Sequence, residues 1–221
     1  PIVADLTIHP GAWSEPTLEH YVAVFVHKLL QICGIVRLHG AAIEVGARTH
    51  VFLGDKGAGK STLALALGQA GGHVLADDQI VVRRRNGRMV VSGCDGHIRL
   101  TAESEQHFLK GRLDAVPQDF AGTLKKEVCL DALVDAIPYQ DRQAARLYFP
   151  RVARRFGVRP VARRDAVVRI LDAVAAAHRF AGPLDRWDLL RLVTDFVSDL
   201  ECVDLELSPD LAALDRLVAL V

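Results

Sequence analysis

Apolar and polar positions predict several strands in the first quarter of the chain. Residues 2–8 alternate apolar and polar side chains with period two, which is typical of a half-buried strand. Residues 35–40 and 42–45 indicate two more short strands, and the apolar run 49–53 indicates a buried one. The connections between these last three are too short for crossover helices, so neighbouring strands should pair antiparallel.

Two runs of apolar residues at helical spacing flank these strands. Ser14 is an N-cap candidate for a long, mostly apolar helix that closes near Gly34. Residues 61–67 form a second helical run, which begins shortly after the buried 49–53 strand. We expect the first helix to pack against the sheet or to serve as an interface.

The middle of the chain combines short strands with a segment that has no periodicity. A strand at 73–76 precedes a hairpin whose arms, 80–82 and 88–91, are joined by Asn86-Gly87. Further on we predict a strand at 98–100, a helix from the N-cap candidate Thr101 to about Lys110, a loop or lid over 111–127 and a strand at 128–134.

From Asp141 onward the pattern is predominantly helical. We predict a helix over 163–181, a second beginning at Asp185, a strand at 203–207 and a last helix opened by Pro209. The resulting class is α/β. A single domain over residues 1–221 is expected, with an N-terminal strand and helix in 1–34, a core in 35–135 and a mainly helical part in 136–221.

Composition and charge exclude some classes of function. The 27 Lys and Arg residues balance 27 Asp and Glu residues, which argues against a protein dominated by nucleic-acid or membrane binding. The four cysteines, Cys33, Cys94, Cys129 and Cys202, lie far apart without metal-ligand spacing, so we expect reduced, buried thiols. No apolar run reaches membrane-spanning length and no signal-peptide pattern is present, so a cytoplasmic protein is expected.

Residues 54–62 carry the strongest motif of the chain. They fit G-x-x-x-x-G-K-[ST] at every fixed position, between a predicted strand and a predicted helix. Such a phosphate-binding loop directs backbone N–H groups at an anion, while its lysine meets the β- and γ-phosphates and its serine can bind Mg²⁺. A glycine-rich turn without a ligand is the alternative. The predicted ATP-binding residues are Gly54, Asp55, Lys56, Gly57, Ala58, Gly59, Lys60, Ser61 and Thr62.

Two acidic residues follow the predicted strand at 73–76. Asp77 and Asp78 stand at the carboxyl end of the 73–76 strand, where a Mg²⁺ or water ligand is expected one helix after a phosphate-binding loop. Two roles are compatible with this position. One of the two aspartates could act as a general base, or both could bind metal and water.

His39-Gly40, the 54–62 loop and Leu75-Ala76-Asp77-Asp78 together resemble the catalytic core of HPr kinase/phosphorylase. The resemblance is closer still to the small HPr-kinase-like proteins of ribosomal-peptide gene clusters, including lasso-peptide precursor kinases. It covers residues 35–100 on motif spacing and implies a P-loop nucleotide-binding core on a mixed, largely antiparallel sheet.

The resemblance also implies roles for individual residues. Asp78 is similar to the family's general base, Asp77 would lie beside it near the metal, and His39 matches an active-site histidine. The chain departs from HPr kinase in lacking a downstream E-[IV]-R-G signature. Glu103 or Glu105 could replace the metal-binding glutamate of that signature.

The stretch 142–169 is rich in arginine. Arginine suits phosphate charge and acidic substrates, so one or two of these side chains could reach the site. The alternative is a solvated helical face balanced by Asp165, Asp172, Asp185 and Asp188. A solvated edge is likewise favoured for Arg83, Arg84 and Arg85 near the hairpin turn.

Taken together, these features favour a kinase that uses ATP and Mg²⁺ to phosphorylate a hydroxyl, with serine of a ribosomal precursor peptide as the first candidate. HPr serine, free serine or another small molecule, and a non-catalytic nucleotide-binding regulator stay open. The expected partner is a peptide or protein substrate, with no nucleic acid and no membrane, and homo-oligomers are compatible with the family.

Overall fold

The computed structural model describes residues 22, 25–26, 29–111, 113–120, 122–177 and 186–208, with only the backbone for 175–177 and 186. The predicted strand at 2–8 and the helix after Pro209 lie outside these residues. Of the predicted N-terminal helix, residues 22, 25–26 and 29–32 are described, and they are helical.

Eleven strands and four α-helices make up the described part of the chain. The strands are β1 (Ile35–Val45), β2 (Arg48–Leu53), β3 (His73–Ala76), β4 (Gln79–Arg85), β5 (Arg88–Gly93), β6 (His97–Leu100), β7 (Gln118–Asp119), β8 (Leu124–Cys129), β9 (Ala144–Val152), β10 (Gly157–Pro160) and β11 (Glu201–Leu207). The helices are α1 (Lys60–Gln69), α2 (Ala102–Leu109), α3 (Arg163–Ala177) and α4 (Arg186–Ser198), with a 3₁₀ turn at Leu130–Ala132.

The main sheet has the order β10-β11-β9-β2-β1-β4-β5, with β3 also paired to β1. The pairs β1/β2, β1/β3, β1/β4, β4/β5 and β10/β11 are antiparallel, whereas β9 runs parallel to both of its neighbours. The antiparallel start of the sheet is therefore confirmed, and the fold is a mixed α/β one. Strands β6, β8 and β7 form a second, smaller sheet.

β1 is one long strand where the sequence predicted two. The predicted break falls at Gly40, which lies in register with Leu53 of β2. A Cβ at Gly40 would stand 2.7 Å from the carbonyl oxygen of Phe52, so glycine permits a close strand approach instead of a turn. The first half of β1 pairs with β4 and the second half with β3.

Helices cover both faces of the main sheet. Leu63, Leu65 and Leu67 of α1 pack into one hydrophobic cluster, together with side chains of β6 and β11. On the other face, α3 contributes Ile170 and Val174 to a second cluster that also contains residues of α4. The described chain thus has a three-layer arrangement, with α1 and the α3–α4 pair on opposite sides of the sheet.

The helical prediction from Asp141 onward is wrong for residues 144–152 and 157–160, which form β9 and β10. β9 lies between β2 and β11, and its central residues Leu147 and Tyr148 are almost fully buried. A strand covered on both faces loses the period-two alternation that identifies a strand in sequence. α3 and the helix and strand that follow it were predicted correctly within the described residues.

Three further predictions need correction. The predicted 128–134 strand ends at Cys129 and continues as the 3₁₀ turn, while part of the predicted 111–127 loop forms β7 and the start of β8. The cysteines are free within the described residues, but Cys33 and Cys129 are exposed, not buried as expected. Among the described helices, none is long and apolar enough to cross a membrane.

Candidate functional site

The glycine-rich loop, residues 54–59, joins the buried end of β2 to the first turn of α1. Gly59 has φ +94°, a conformation that residues with a Cβ rarely adopt, and a Cβ there would approach Leu207 Cδ1 to 2.8 Å. Glycine at this position therefore both allows the backbone turn and lets β11 pack against the loop.

Lys60, the first residue of α1, is held inside this loop. Its side chain is buried, and Nζ donates hydrogen bonds to the carbonyl oxygens of Gly54 at 2.7 Å and Asp55 at 2.9 Å. Burial lowers the pKa of Lys60, and the nearby carboxylates of Asp77 and Asp78 oppose that shift. The ammonium is thus positioned at the mouth of the loop with little solvent around it.

Asp77 is a buried carboxyl at the corner between β3 and β4. It accepts hydrogen bonds from the Ser61 hydroxyl and from the backbone N–H of Arg99. Its Oδ1 is buried and has no hydrogen-bond partner among the described residues. Burial, reinforced by the charge of Asp78, raises the pKa of Asp77 to about 7.

Asp78 has the opposite environment, although it is the next residue. The His39 ring nitrogen Nδ1 lies 3.0 Å from Asp78 Oδ1, and the Arg99 guanidinium lies 3.2 Å from Oδ2. The hydrogen bond from His39 is the main cause of a lowered pKa of Asp78, with burial acting against it. A carboxylate that is ionised and a quarter exposed can accept a proton from a ligand in the cavity.

The predicted residues from three separate stretches line one cavity of about 630 Å³. We call it the loop cavity. Its lining includes His39, Lys56, Gly57, Gly59, Lys60, Ser61, Thr62, Asp77 and Asp78. Gly54 and Asp55 line a neighbouring cavity instead, and Ala58 is buried behind the loop. His39, Asp77 and Asp78 therefore lie in the same cavity as most of the glycine-rich loop.

Arg99 is a member of this site that the sequence did not indicate. Besides Asp78, it binds Glu127 at 2.6 Å through Nε, and its guanidinium lies 4.5 Å from the Phe120 ring centroid. An arginine in a short strand is ordinary in sequence, and its contact with Asp78 joins two segments that only folding brings together. Lys125, within the predicted lid, also lines the cavity.

Phe120 lines the loop cavity and contacts two of its other residues. Lys56 Nζ donates a hydrogen bond of 2.7 Å to the Phe120 carbonyl oxygen, while the Phe120 ring covers Arg99. Both contacts join the predicted lid region to the catalytic candidates.

The two glutamates considered as metal ligands have different positions. Glu105 is buried and accepts from Lys126 Nζ at 2.9 Å and from the backbone N–H of Leu113 at 3.3 Å. Those contacts give it a structural role. Glu103 lines the loop cavity, so it is the better candidate of the two.

Of the arginines of 142–169, Arg146, Arg151 and Arg159 lie on β9 and β10, and Arg163, Arg164 and Arg169 lie on α3; several pair with carboxylates of β11. Arg146 binds Glu201, Arg169 binds Asp204, and Glu206 accepts from both Arg151 and Arg159. These partners are not the aspartates expected from the sequence, apart from the Arg164–Asp165 contact. Arg83 and Arg85 bind Asp141, and Arg84 binds Asp195, which supports structural roles for the hairpin arginines.

A divalent cation fits the residues around Asp77. Its unpartnered, buried Oδ1 and the Ser61 hydroxyl are hard oxygen donors, which Mg²⁺ prefers, and few protein ligands are usual when phosphate oxygens complete the shell. No cluster of three or more His, Cys, Asp or Glu side chains suited to a metal occurs in the described residues.

Comparison with known proteins gives little further information. No protein-family model matches the sequence, and neither does any curated protein. Among solved structures, the chain is similar to the HPr(Ser) kinase/phosphatase from Coxiella burnetii, with 14% identity and a TM-score of 0.38 over 57% of this chain and 70% of that one. A likeness this distant carries no functional argument, which therefore depends on the site itself.

Proposed function

We propose that this chain is a P-loop phosphotransferase that uses ATP and Mg²⁺ to phosphorylate a hydroxyl, with serine of a ribosomal precursor peptide as the first candidate acceptor. One observation carries the proposal. A buried lysine in a glycine-rich loop, a buried aspartate beside the loop serine, and an ionised aspartate beside a histidine all line one cavity.

The glycine-rich loop and Lys60 would bind the nucleotide. Backbone N–H groups at the start of α1 and the Lys60 ammonium offer positive charge to phosphate oxygens in a site with little water. Ser61 and Asp77 would hold Mg²⁺, which when bound neutralises charge on the transferred phosphoryl group. A cation beside Asp77 would also satisfy its buried Oδ1.

Asp78 would orient and deprotonate the acceptor. The hydroxyl proton passes to the Asp78 carboxylate, the hydroxyl oxygen forms a bond to the γ-phosphorus, and the bond from that phosphorus to the β,γ-bridging oxygen breaks to release ADP. His39 positions the carboxylate through its 3.0 Å contact, and Arg99 restrains the other oxygen. Positioning and electrostatics supply the rate in this scheme.

The test is phosphate transfer measured by mass spectrometry, with ATP, Mg²⁺ and a panel that contains serine peptides, HPr and free serine. Asp78→Asn keeps the shape of the side chain but cannot accept the proton, so transfer should fall by roughly 10²–10⁴-fold while nucleotide affinity changes little. Asp135→Asn is the matched control, because it removes another His–Asp contact, 2.7 Å to His73, on the surface away from the cavity.

A nucleotide-binding regulator is the second candidate, since Arg99 and His39 already engage both oxygens of Asp78. It predicts nucleotide binding with no acceptor modified. Transfer that survives Asp78→Asn unchanged would instead exclude Asp78 as the base.

A further inference from the structure

A second large cavity adjoins the proposed catalytic site. It has a volume of about 750 Å³ and lies between β1, the ends of β2 and β9, and helix α3. We call it the α3 cavity. Its volume is in the range of ligand-binding pockets, and nothing in the catalytic scheme above occupies it.

The two cavities share lining residues at the reacting end of the site. His39 and Lys56 line both of them, and His39 contacts the proposed base Asp78 at 3.0 Å. Thr62, on the α1 side of the glycine-rich loop, lines only the loop cavity. Because the acceptor and the leaving group lie in line on opposite sides of the transferred phosphoryl group, an acceptor in the α3 cavity would enter beside Asp78.

The α3 cavity is lined by apolar side chains and by charged ones of both signs, including the carboxylates of Asp55, Asp172 and Asp204. Phe149 and Ala173 form part of the apolar wall, and the Arg169 guanidinium lies 4.9 Å from the Phe149 ring centroid. The charge of Arg169 is balanced by Asp204, and that of Arg151 by Glu206. These two arginines therefore belong to the wall of the cavity and are not free for a ligand.

Arg37 differs from those arginines. It stands two residues before His39 on β1 and donates to the neutral side chain of Gln79, while its buried Nε has no partner among the described residues. No carboxylate of the described chain forms an ion pair with it. A guanidinium without a paired anion, at the edge of this cavity, can pair with a carboxylate through the N–H groups that Gln79 does not occupy.

From this geometry we propose that the α3 cavity binds the acceptor, and that the acceptor is a polypeptide segment with an acidic side chain close to the phosphorylated hydroxyl and an apolar side chain beside it. Arg37 pairs with the acidic group, and the wall around Phe149 takes the apolar one. A free amino acid would leave most of a 750 Å³ cavity unfilled. This inference rests on the proposed function, because it identifies the acceptor of that same site.

The test uses a serine-centred peptide library, in which Asp, Leu, Ala or Lys is fixed at each neighbouring position, with ATP and Mg²⁺. Phosphate incorporation is read by mass spectrometry, and a fluorescent ATP analogue reports nucleotide binding separately. The variants are Ala173→Trp, which fills the cavity from an exposed position of α3, and Arg37→Gln. Val168→Trp, exposed on the same helix and away from the cavity lining, is the control for the added indole.

We expect pools with Asp and Leu near the serine to be preferred. Ala173→Trp should raise the acceptor KM at least tenfold, and Arg37→Gln should raise it roughly 10–100-fold for Asp pools only, the loss typical of a charge-assisted hydrogen bond. Nucleotide affinity should be unchanged in both variants. The acceptor KM of the Val168→Trp control should equal that of the wild type.

Two results would overturn the inference while leaving the proposed function standing. They are transfer that is indifferent to Ala173→Trp, and transfer only to free serine or another small hydroxyl compound. Failure of the proposed function is recognised differently, by nucleotide binding with no acceptor of any kind modified, or by the absence of nucleotide binding in the wild-type chain.

Discussion

The charged groups of the loop cavity and those along β9 and β11 are similar in kind but differ in their surroundings. Lys60 and Asp77 have relative exposures of only 6% and 2%, and Asp77 keeps an oxygen without a partner. The side chains of Arg151 and Arg159 are 62% and 66% exposed, and both are paired with Glu206. Burial without full pairing costs folding free energy, so it is a feature expected where a ligand completes the site.

This comparison predicts that substitutions in the loop cavity change binding and pH behaviour strongly, whereas those along β9 and β11 change little. Four variants test it, from the largest expected effect to the smallest.

Lys60→Met should abolish transfer and weaken binding of a fluorescent ATP analogue by roughly 100-fold or more, because the buried ammonium is the principal cation inside the loop. The same variant should unfold no earlier in thermal denaturation, since methionine removes a charge that burial disfavours. Nucleotide affinity within about threefold of wild type would remove Lys60 from the site.

Asp77→Asn should stabilise the protein in EDTA at pH 8. The pKa of Asp77 is raised from 3.8 to about 7, so the folded state retains a proton that the unfolded state releases, and stability falls as pH rises between those values. The penalty above pH 7 is about 4 kcal/mol by that shift. Urea denaturation of both proteins at pH 4 and pH 8 measures it.

The control for this prediction is the addition of Mg²⁺ with nucleotide. Wild-type protein should gain stability from the ligands, and Asp77→Asn should gain much less. A variant less stable than wild type at pH 8 in EDTA would contradict the assignment of an unfavourable buried charge.

His50 provides a pH effect of opposite sign, away from the site. Burial, with the charges of Arg146 and Arg48, lowers the pKa of His50 from 6.5 to about 4. The unfolded state therefore binds the proton first, and stability is complete above pH 6.5 and decreases as pH falls towards 4, by up to about 3 kcal/mol. Asp77 gives the opposite slope in wild type and in His50→Gln alike, so the measured quantity is the difference in stability to denaturation between the two proteins, which should shift against the wild type as pH falls from 6.5 towards 4.

Arg159→Gln should have the smallest effect, below about 1 kcal/mol, because its ion pair is exposed and Arg151 still binds Glu206 after the change. Urea denaturation in low and high salt measures it, and transfer activity should stay at the wild-type level. A loss above 2 kcal/mol in the free energy of unfolding would mean that exposure does not explain the difference between the loop cavity and the charges along β9 and β11.

Some site residues could be found from sequence because their chemistry depends on local spacing. The loop motif needs glycines, lysine and serine at fixed positions between a strand and a helix, and these elements formed where predicted. Asp77 and Asp78 end a short strand whose boundaries were also predicted correctly.

Other features depended on contacts between distant segments. The contact of Arg99 with Asp78 joins positions 21 residues apart, and residues 144–152 form a strand between β2 and β11. The second of these leaves no periodic signal, since a strand covered on both faces has no polar side. The carboxylate partners of Arg146 and Arg169 were not predicted either, because they lie on β11 and not on the helices nearest in sequence.

The amino-acid sequence alone therefore determined the candidate chemistry: a loop suited to phosphate, a cation within it, and two carboxylates and a histidine at strand ends. The tertiary structure decided the different states of the two aspartates, the addition of Arg99, and the second cavity beside His39. The physical reason is that motif spacing is a property of the local chain, whereas burial, pKa and cavity shape arise from residues that only folding brings together.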